Sequence, residues 1–312
     1  MDSAKTGSVP KVRAGVYLAL ATAVISGVSI YLNKFAITGL KDPVLLSGFK
    51  NGLVAVALVG VLVAAGRLGE IRRLTRRQSA ALVAIGAIGG GVPFILFFRG
   101  LAMTEAVSAA FIHKTLFIWV ALLAAPLLGE RLGRWQIAGV GVLLAGNLAL
   151  LLPRAWSPST GDLLVFTATL LWAAEAIVAR RLLRGSVSAR LAAASRMTVG
   201  SAVIWVYLGV TGAGAGAALM SGSGAMWLIV TAALLTAYVL TWYKALKLAP
   251  AAVVTSVLVV GSPITTFLST ATGQGGASTQ AIAASVVLVL GTAFLIASTL
   301  RGRAPKAEAA SA

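Results

Sequence analysis

Long apolar runs separated by short polar stretches dominate the chain. Runs of about 20 apolar residues recur ten times, and each is long enough to cross a hydrocarbon core about 30 Å thick as a helix. The alternating ten-residue strands that are typical of membrane barrels are not visible. The pattern therefore predicts an all-α integral membrane protein with ten transmembrane helices, at residues 14–36, 43–66, 78–102, 105–128, 135–152, 161–182, 188–211, 225–246, 251–272 and 277–299.

Composition supports the bilayer as the solvent of this chain. Hydrophobic residues make up 59% of the 312 residues and charged residues 11%, against about 45–50% and 25% in an average soluble domain. The loops are too short for a soluble domain of any size. With no cysteine and one histidine, the sequence offers neither disulfides nor a metal site, and we expect no cofactor.

The net charge of +18 lies mostly in the loops on one side of the predicted spans. Of the 20 Lys and Arg residues in the loops and the adjoining span ends, where Arg180, Arg181 and Arg190 are counted, 18 fall on that side, against Lys41 and Arg154 on the other. The positive-inside rule then predicts that both termini are cytoplasmic. We interpret this charge as setting topology and attracting anionic lipid, and not as a nucleic-acid site.

Six cations lie inside the predicted spans, where an unpaired charge facing lipid costs about 2.5–3.5 kcal/mol on insertion scales. Lys34, Arg99 and Lys244 lie near span ends and are expected to reach the interface. Lys50, Lys114 and Arg196 lie deeper, so we expect them to pair or to face a wet interior.

The chain also repeats itself. "RGLAMTEAVSAA" (99–110) aligns with "KALKLAPAAVVT" (244–255) at an offset of 145, and Lys50 aligns with Arg196 at an offset of 146. Helices 1–5 therefore recur as helices 6–10. Because five is odd, the second copy enters the membrane from the opposite side, which predicts two inverted five-helix repeats.

These residues resemble the EamA-type transporters of the drug/metabolite transporter superfamily over nearly the whole chain. The resemblance rests on "LLGERL" (127–132), "LLWAAEAIVARRLL" (170–183), Arg196, "YKALKLAPAAVV" (243–254) and Pro263, in that order. The second half departs from the pattern, since Gln274-Gly275-Gly276 stands where the first has Gly129-Glu130-Arg131.

The resemblance implies export or exchange of a small metabolite across the inner (plasma) membrane of a bacterium, through a cavity lined mainly by helices 1–4 and 6–9. We divide the chain into a cytoplasmic N-terminal segment (1–13), a first EamA repeat (14–152), a second EamA repeat (153–299) and a disordered cytoplasmic tail (300–312). The predicted function is secondary-active transport by alternating access, since no GxxxxGK[ST] loop is present to use ATP.

The stretch "FIHKTLF" (111–117) breaks the symmetry of the repeat, because His113 and Lys114 align with the apolar Leu258 and Val259. Neighbours on a helix point about 100° apart, so at least one of the two is expected to face the cavity. The structural alternative is that His113 donates to a backbone carbonyl while Lys114 forms a buried ion pair.

Glu175 is the one carboxylate deep in a predicted span. It can neutralise Lys114 or Arg196, or it can exchange protons with His113 during transport. The excess of cations in the spans favours a substrate with a carboxylate or a phosphate, and an amino acid or a similar amphipathic metabolite would fit. Trp172 and Tyr238 are the aromatic residues that we expect to hold its apolar remainder.

Two glycine- and proline-containing stretches could act as hinges or gates. "GAIGGGVPF" (86–94) contains Gly90 and Pro93, and "VVGSPITT" (259–266) contains Gly261 and Pro263. Proline removes a helix hydrogen bond and favours a kink. The alternative is tight helix packing alone.

Three alternative functions compete with this one. An exporter of cationic or amphipathic drugs is the main alternative. An intramembrane enzyme is disfavoured, because no serine lies in a GxSG-type motif and metal ligands are lacking, and a sensor or scaffold would need larger loops. The expected partners are a small solute and lipid. The small-residue faces of helices 5 and 10 leave both a monomer and a homodimer open.

Overall fold

Helices make up the fold of the chain. The computed structural model describes residues 9–36, 43–104, 109, 112–149, 159–212, 222–272 and 278–301, and these contain no β-strand. In chain order, the helices are α1 (Val9–Ala36), α2 (Pro43–Ala64), α3 (Gly69–Arg72), α4 (Arg76–Ile85), α5 (Val92–Met103), α6 (Leu116–Leu128), α7 (Arg134–Ala149), α8 (Thr160–Leu183), α9 (Ala189–Thr211), α10 (Gly222–Leu248), α11 (Ala251–Val257), α12 (Gly261–Ala271) and α13 (Thr279–Arg301). A π-helical segment, Gly86–Gly91, joins α4 to α5, and a 3₁₀ turn, Leu258–Val260, joins α11 to α12.

Eight helical stretches of the described chain are long and apolar enough to cross a membrane. The predicted all-helical, multi-pass architecture is therefore confirmed, but ten spans are not. The predicted span 105–128 is a shorter apolar helix, Ile112–Leu128, and the span 135–152 is the 16-residue α7. Both are shorter because part of each predicted span lies outside the described residues.

Local sequence signals set several helix ends. Ser159 and Asp162 form a capping box at the start of α8, in which the Ser159 Oγ accepts from the Asp162 amide and the carboxylate accepts from the Ser159 amide. This arrangement satisfies amide groups that a helix N-terminus leaves without partners. Gly129 ends α6 with φ 67°, a left-handed conformation that glycine adopts without strain.

Four helix pairs form the main contacts of the bundle: α1 with α10, α2 with α9, α5 with α8, and α7 with α13. In addition, α1 packs on α12, and α6 packs on α8 and α11. Glycines permit the closest of these crossings. A Cβ added to Gly100 would lie 2.7 Å from the Gly161 carbonyl oxygen, so α5 and α8 meet backbone to backbone.

The outer surface of the bundle is apolar. Val56 in α2 is 73% exposed and Val210 in α9 is 83% exposed, as expected for side chains that face lipid. Of the cations predicted to reach the interface, Arg99 and Lys244 are exposed, and the Lys34 side chain lies outside the described part of the chain.

Candidate functional site

A cavity of about 430 Å³ lies in the centre of the bundle. Its walls come from α1, α2, α5, the helix Ile112–Leu128, and α8 to α12, whereas α7 and α13 contribute none of its lining residues. All seven residues predicted to bind substrate or to couple transport line this cavity: Lys50, His113, Lys114, Trp172, Glu175, Arg196 and Tyr238. Their transport roles stay predictions.

The two cavity lysines have no carboxylate partner within the described residues. Lys50, which is 4% exposed, donates from Nζ to the Asn33 Oδ1 at 3.3 Å and lies 5.9 Å from the centre of the Phe98 ring. Lys114 forms neither a hydrogen bond nor an ion pair with the described part of the chain, so the buried ion pair considered for it is not found there. Both ammonium groups are therefore left to a ligand or to water in the cavity.

His113 belongs to an aromatic cluster on the cavity wall. Its ring lies edge to face with Trp172 at 4.8 Å and with Phe97 at 5.5 Å, centre to centre. Its buried Nδ1 has no hydrogen-bond partner, so it does not donate to a carbonyl from that atom. The cluster offers a flat apolar wall on which an apolar or aromatic group can pack.

Glu175 and Arg196 lie side by side at the base of the cavity, 1% and 6% exposed. The carboxylate accepts a hydrogen bond from the Tyr243 hydroxyl at 2.5 Å. The guanidinium carbon of Arg196 lies 6.0 Å from the centre of the Tyr243 ring. Tyr243 thus contacts both the acid and the cation, and Glu175 forms no direct ion pair with Arg196 or Lys114.

The π-helical segment Gly86–Gly91 anchors this group. A π-helix disrupts the regular amide-to-carbonyl ladder, so its carbonyls become available to side chains. The Gly89 carbonyl accepts from Trp172 Nε1 at 2.9 Å and from Arg196 Nη2 at 3.0 Å. The neighbouring Gly90 carbonyl accepts from Asn51 Nδ2 at 3.1 Å. Side chains from α2, α8 and α9 therefore meet on one irregular turn.

Both predicted hinge stretches contain a break in helix geometry. In the first, the irregular turn includes Gly90 and ends before Pro93, which is the second residue of α5 and needs no amide partner there. In the second, the 3₁₀ turn ends at Gly261, and Pro263 follows inside α12. None of the four residues lines the cavity. Their role as gates stays a prediction.

Replacing Tyr243 by phenylalanine is expected to destabilise the fold, because the buried Glu175 carboxylate would lose its 2.5 Å hydroxyl donor. An unsatisfied buried acceptor costs about 1–3 kcal/mol. Thermal unfolding in detergent should show a lower melting temperature for Tyr243→Phe than for Tyr207→Phe, whose ring contacts Arg99 and whose hydroxyl bonds to no described group. Equal melting temperatures would argue against the Tyr243 to Glu175 bond.

Sequence reasoning missed four polar participants: Ser29, Asn33, Asn51 and Tyr243. Small polar residues and tyrosines are ordinary in membrane helices, so composition alone does not mark them. The repeat offered one signal for Tyr243. It stands directly before the matched segment that begins at Lys244, just as Phe98 stands directly before the matching segment that begins at Arg99. Trp242 also lines the cavity, and its ring stacks on that of Tyr238 with 6.2 Å between the ring centres.

The fold and the cavity place this chain among multi-pass membrane proteins with a central solute-sized chamber. Residues 13–152 match the EamA-like transporter family model. The predicted resemblance to EamA-type transporters is therefore confirmed over this part of the chain. The match to a family described as transporters agrees with the prediction of a transporter in place of an enzyme.

Comparisons with individual proteins agree with this class. The chain is 27% identical over 173 residues to a Bacillus subtilis (strain 168) protein described as an uncharacterized transporter, YyaM. That match covers 53% of this chain and 55% of the relative, so it spans about half the length of the curated protein. A solved crystal structure, 18% identical, superposes with a TM-score of 0.76 over 95% of this chain and 100% of its own, which shows a shared fold.

Proposed function

We propose that the chain is a secondary-active carrier that moves a small carboxylate-bearing metabolite across the inner membrane by alternating access. The observation that carries the proposal is the cavity of about 430 Å³, in which Lys50 and Lys114 face the interior without a described carboxylate partner. A volume of this size fits a small organic solute. Export or exchange of the solute accords with the transporter family of residues 13–152.

The packing of the bundle supports ten helices in two inverted repeats. In the repeat, α8 is the counterpart of α1, and α10 is the counterpart of α5. Exchanging counterparts therefore turns the contact between α1 and α10 into a contact between α8 and α5, and both contacts are present. The α2 and α9 pair and the α7 and α13 pair each convert into themselves. This is the behaviour expected of halves related by an axis in the membrane plane.

Two glycines support the same symmetry at atomic detail. Gly146 in α7 faces Val287 and Leu288 of α13, whereas Gly291 in α13 faces Val142 and Leu143 of α7. Each residue of one set lies 145 positions from its counterpart in the other. The contact between α7 and α13 is therefore self-complementary about the proposed axis.

The cavity also supports an orientation. Its lining reaches Tyr31, Asn33 and Ser269, near the ends of α1 and α12 that lie away from the arginine-rich loops. If the basic end is cytoplasmic, as charge predicts for both termini, the structure is open toward the outside. A carrier then needs a second shape that opens at the basic end.

The test is counterflow into proteoliposomes, preceded by a thermal-shift screen with amino acids, organic acids, sugar phosphates and cationic drugs. Ligand that binds the native state must raise its melting temperature. We expect carboxylate-bearing solutes to raise the melting temperature of the protein and to be exchanged in counterflow. We expect Lys114→Ala to weaken both effects at least tenfold. Selective transport of cationic drugs would replace this proposal by drug export, and no exchange of any solute would remove the carrier.

Coupling to protons is proposed through Glu175 and His113, which line the same cavity. Glu175→Gln keeps the side-chain shape and cannot gain or lose a proton. Solute uptake by this variant is expected to be slower than uptake by the wild type and to lose its dependence on an imposed pH gradient. Uptake as fast and as pH-dependent as in the wild type would rule out Glu175 as the coupling acid, while leaving the carrier function in place.

A further inference from the structure

The two halves hold one cation each in matching surroundings. Lys50 in α2 and Arg196 in α9 are 146 positions apart in the sequence, and both are buried at the cavity. The Lys50 Nζ lies 5.9 Å from the centre of the Phe98 ring, and the Arg196 Cζ lies 6.0 Å from the centre of the Tyr243 ring. Phe98 and Tyr243 are themselves 145 positions apart. The repeat thus reproduces a cation held over an aromatic ring.

The anion of this arrangement is present in only one half. In the second half, Glu175 supplies a carboxylate beside Arg196, and the Tyr243 hydroxyl binds it. The position 146 residues earlier is Ser29 in α1, which also lines the cavity. The Ser29 Oγ is buried and has no hydrogen-bond partner. The ring of the first half, Phe98, carries no hydroxyl.

The first half therefore contains a buried cation and a free hydroxyl where the second contains a complete cation, acid and hydroxyl group. Asn33 contributes an amide oxygen to Lys50, at 3.3 Å, and this dipole does not cancel the charge. A buried ammonium group without a counter-ion is costly. A ligand carboxylate at this position would provide the missing charge and would accept hydrogen bonds from Lys50 and Ser29.

We propose that Lys50 and Ser29 form the subsite for the carboxylate of the transported solute, which occupies the position equivalent to that of the Glu175 carboxylate. This inference rests on the proposed carrier function and deepens it. The apolar remainder of the solute packs on the adjacent aromatic rings of Phe94, Phe98 and Trp172. The centre of the Phe94 ring lies 6.4 Å from that of Phe98 and 5.5 Å from that of Trp172. The solute class is a monocarboxylate with an apolar side group.

The sharpest test compares two substitutions of nearly equal size at one position. Ser29→Asp installs the acid that the second half already has, whereas Ser29→Asn adds the same volume without charge. The probes are L-phenylalanine, L-leucine and 3-phenylpropionate, each beside its carboxamide, in thermal-shift and counterflow assays. We expect the wild type to prefer the acids to the amides. Ser29→Asp should bind the acids at least tenfold more weakly than Ser29→Asn.

A second pair of variants guards against misfolding at Ser29. Lys50→Gln removes the cation of the subsite. Lys244→Gln removes an exposed lysine of α10, and Lys244 itself does not line the cavity. We expect Lys50→Gln to lose the preference for acids over amides and Lys244→Gln to keep it.

Two outcomes overturn the subsite while leaving the carrier intact. One is equal affinity of Ser29→Asp and Ser29→Asn for the acids. The other is a carrier that exchanges solutes from the wider panel but does not distinguish these acids from their amides. Absence of exchange for every solute of the wider panel is a separate result, because it removes the carrier function itself.

Discussion

Replacing Glu130 by glutamine is expected to lower the free energy of unfolding by about 3–5 kcal/mol, the usual cost of breaking a buried ion pair. Its Oε1 accepts from Arg180 Nε at 2.8 Å and from Arg184 Nη2 at 2.5 Å, and its Oε2 accepts from the Ala251 amide at 2.7 Å. The side chains of Glu130 and Arg180 are only 9% and 11% exposed. An uncharged amide would leave a shielded guanidinium without its counter-ion.

The same change is expected to loosen the basic end of the bundle. Glu130 follows α6 of the first half, whereas its three donors belong to α8 and α11 of the second. The carboxylate also occupies the N-terminus of α11, where free amides and the helix dipole favour an anion. We therefore expect Glu130→Gln to alter counterflow rates as well as the melting temperature.

Glu70→Gln is the matched control for this prediction. Glu70 in α3 also bonds an arginine, Arg67, at 2.5 Å, but the two residues are only three positions apart in the chain, and the Arg67 side chain is 54% exposed. Exposed pairs contribute about 0–1 kcal/mol. Thermal unfolding in detergent should therefore separate the two variants clearly. If Glu130→Gln and Glu70→Gln had the same melting temperature, the contacts of Glu130 with the second half would not be what holds the basic end of the bundle closed.

The course of the helices could be predicted from the sequence, because apolar runs of about 20 residues have few alternatives in a bilayer. The placement of Lys50, Lys114 and Arg196 at a cavity follows the same logic, since a charge inside a span must avoid lipid. Two predicted spans, 105–128 and 135–152, lie partly outside the described residues, so Ile112–Leu128 and α7 represent only part of each.

Pairings between distant side chains could not be predicted in the same way. Arg180 and Arg184 were counted as topology-setting charges, yet both bind Glu130, and a charge count carries no information on partners. The stretch at 86–94 was expected to kink at Pro93, whereas the irregular turn lies before it and binds side chains through its carbonyls. Such contacts depend on which faces meet after packing.

Replacing Gly200 by alanine is expected to have the other large effect. A Cβ on Gly200 would lie 2.3 Å from the carbonyl carbon of Gly90, and a Cβ on Gly90 would lie 2.1 Å from the carbonyl oxygen of Arg196. These are backbone atoms, which cannot rotate away as a side chain can. Overpacking of this kind costs about 1–3 kcal/mol and occasionally more, so we expect a clearly lower melting temperature.

Gly209→Ala in the same helix α9 provides the comparison, because a Cβ there meets nothing within 4 Å. Alanine at an open helix position should be neutral or stabilise by up to about 1 kcal/mol. The two variants thus make the same chemical change with opposite expected signs. Equal melting temperatures would contradict the close crossing of α9 and the π-helical segment.

The crossing also links stability to transport. Arg196 bonds the Gly89 carbonyl at 3.0 Å from the same face of α9 that carries Gly200 against Gly90. Moving α9 outward to admit a methyl group would draw Arg196 away from that carbonyl and from Glu175. We therefore expect any folded Gly200→Ala protein to exchange solute more slowly, and Gly209→Ala to keep the wild-type rate. Normal exchange by Gly200→Ala would mean that transport does not need this crossing to stay closed.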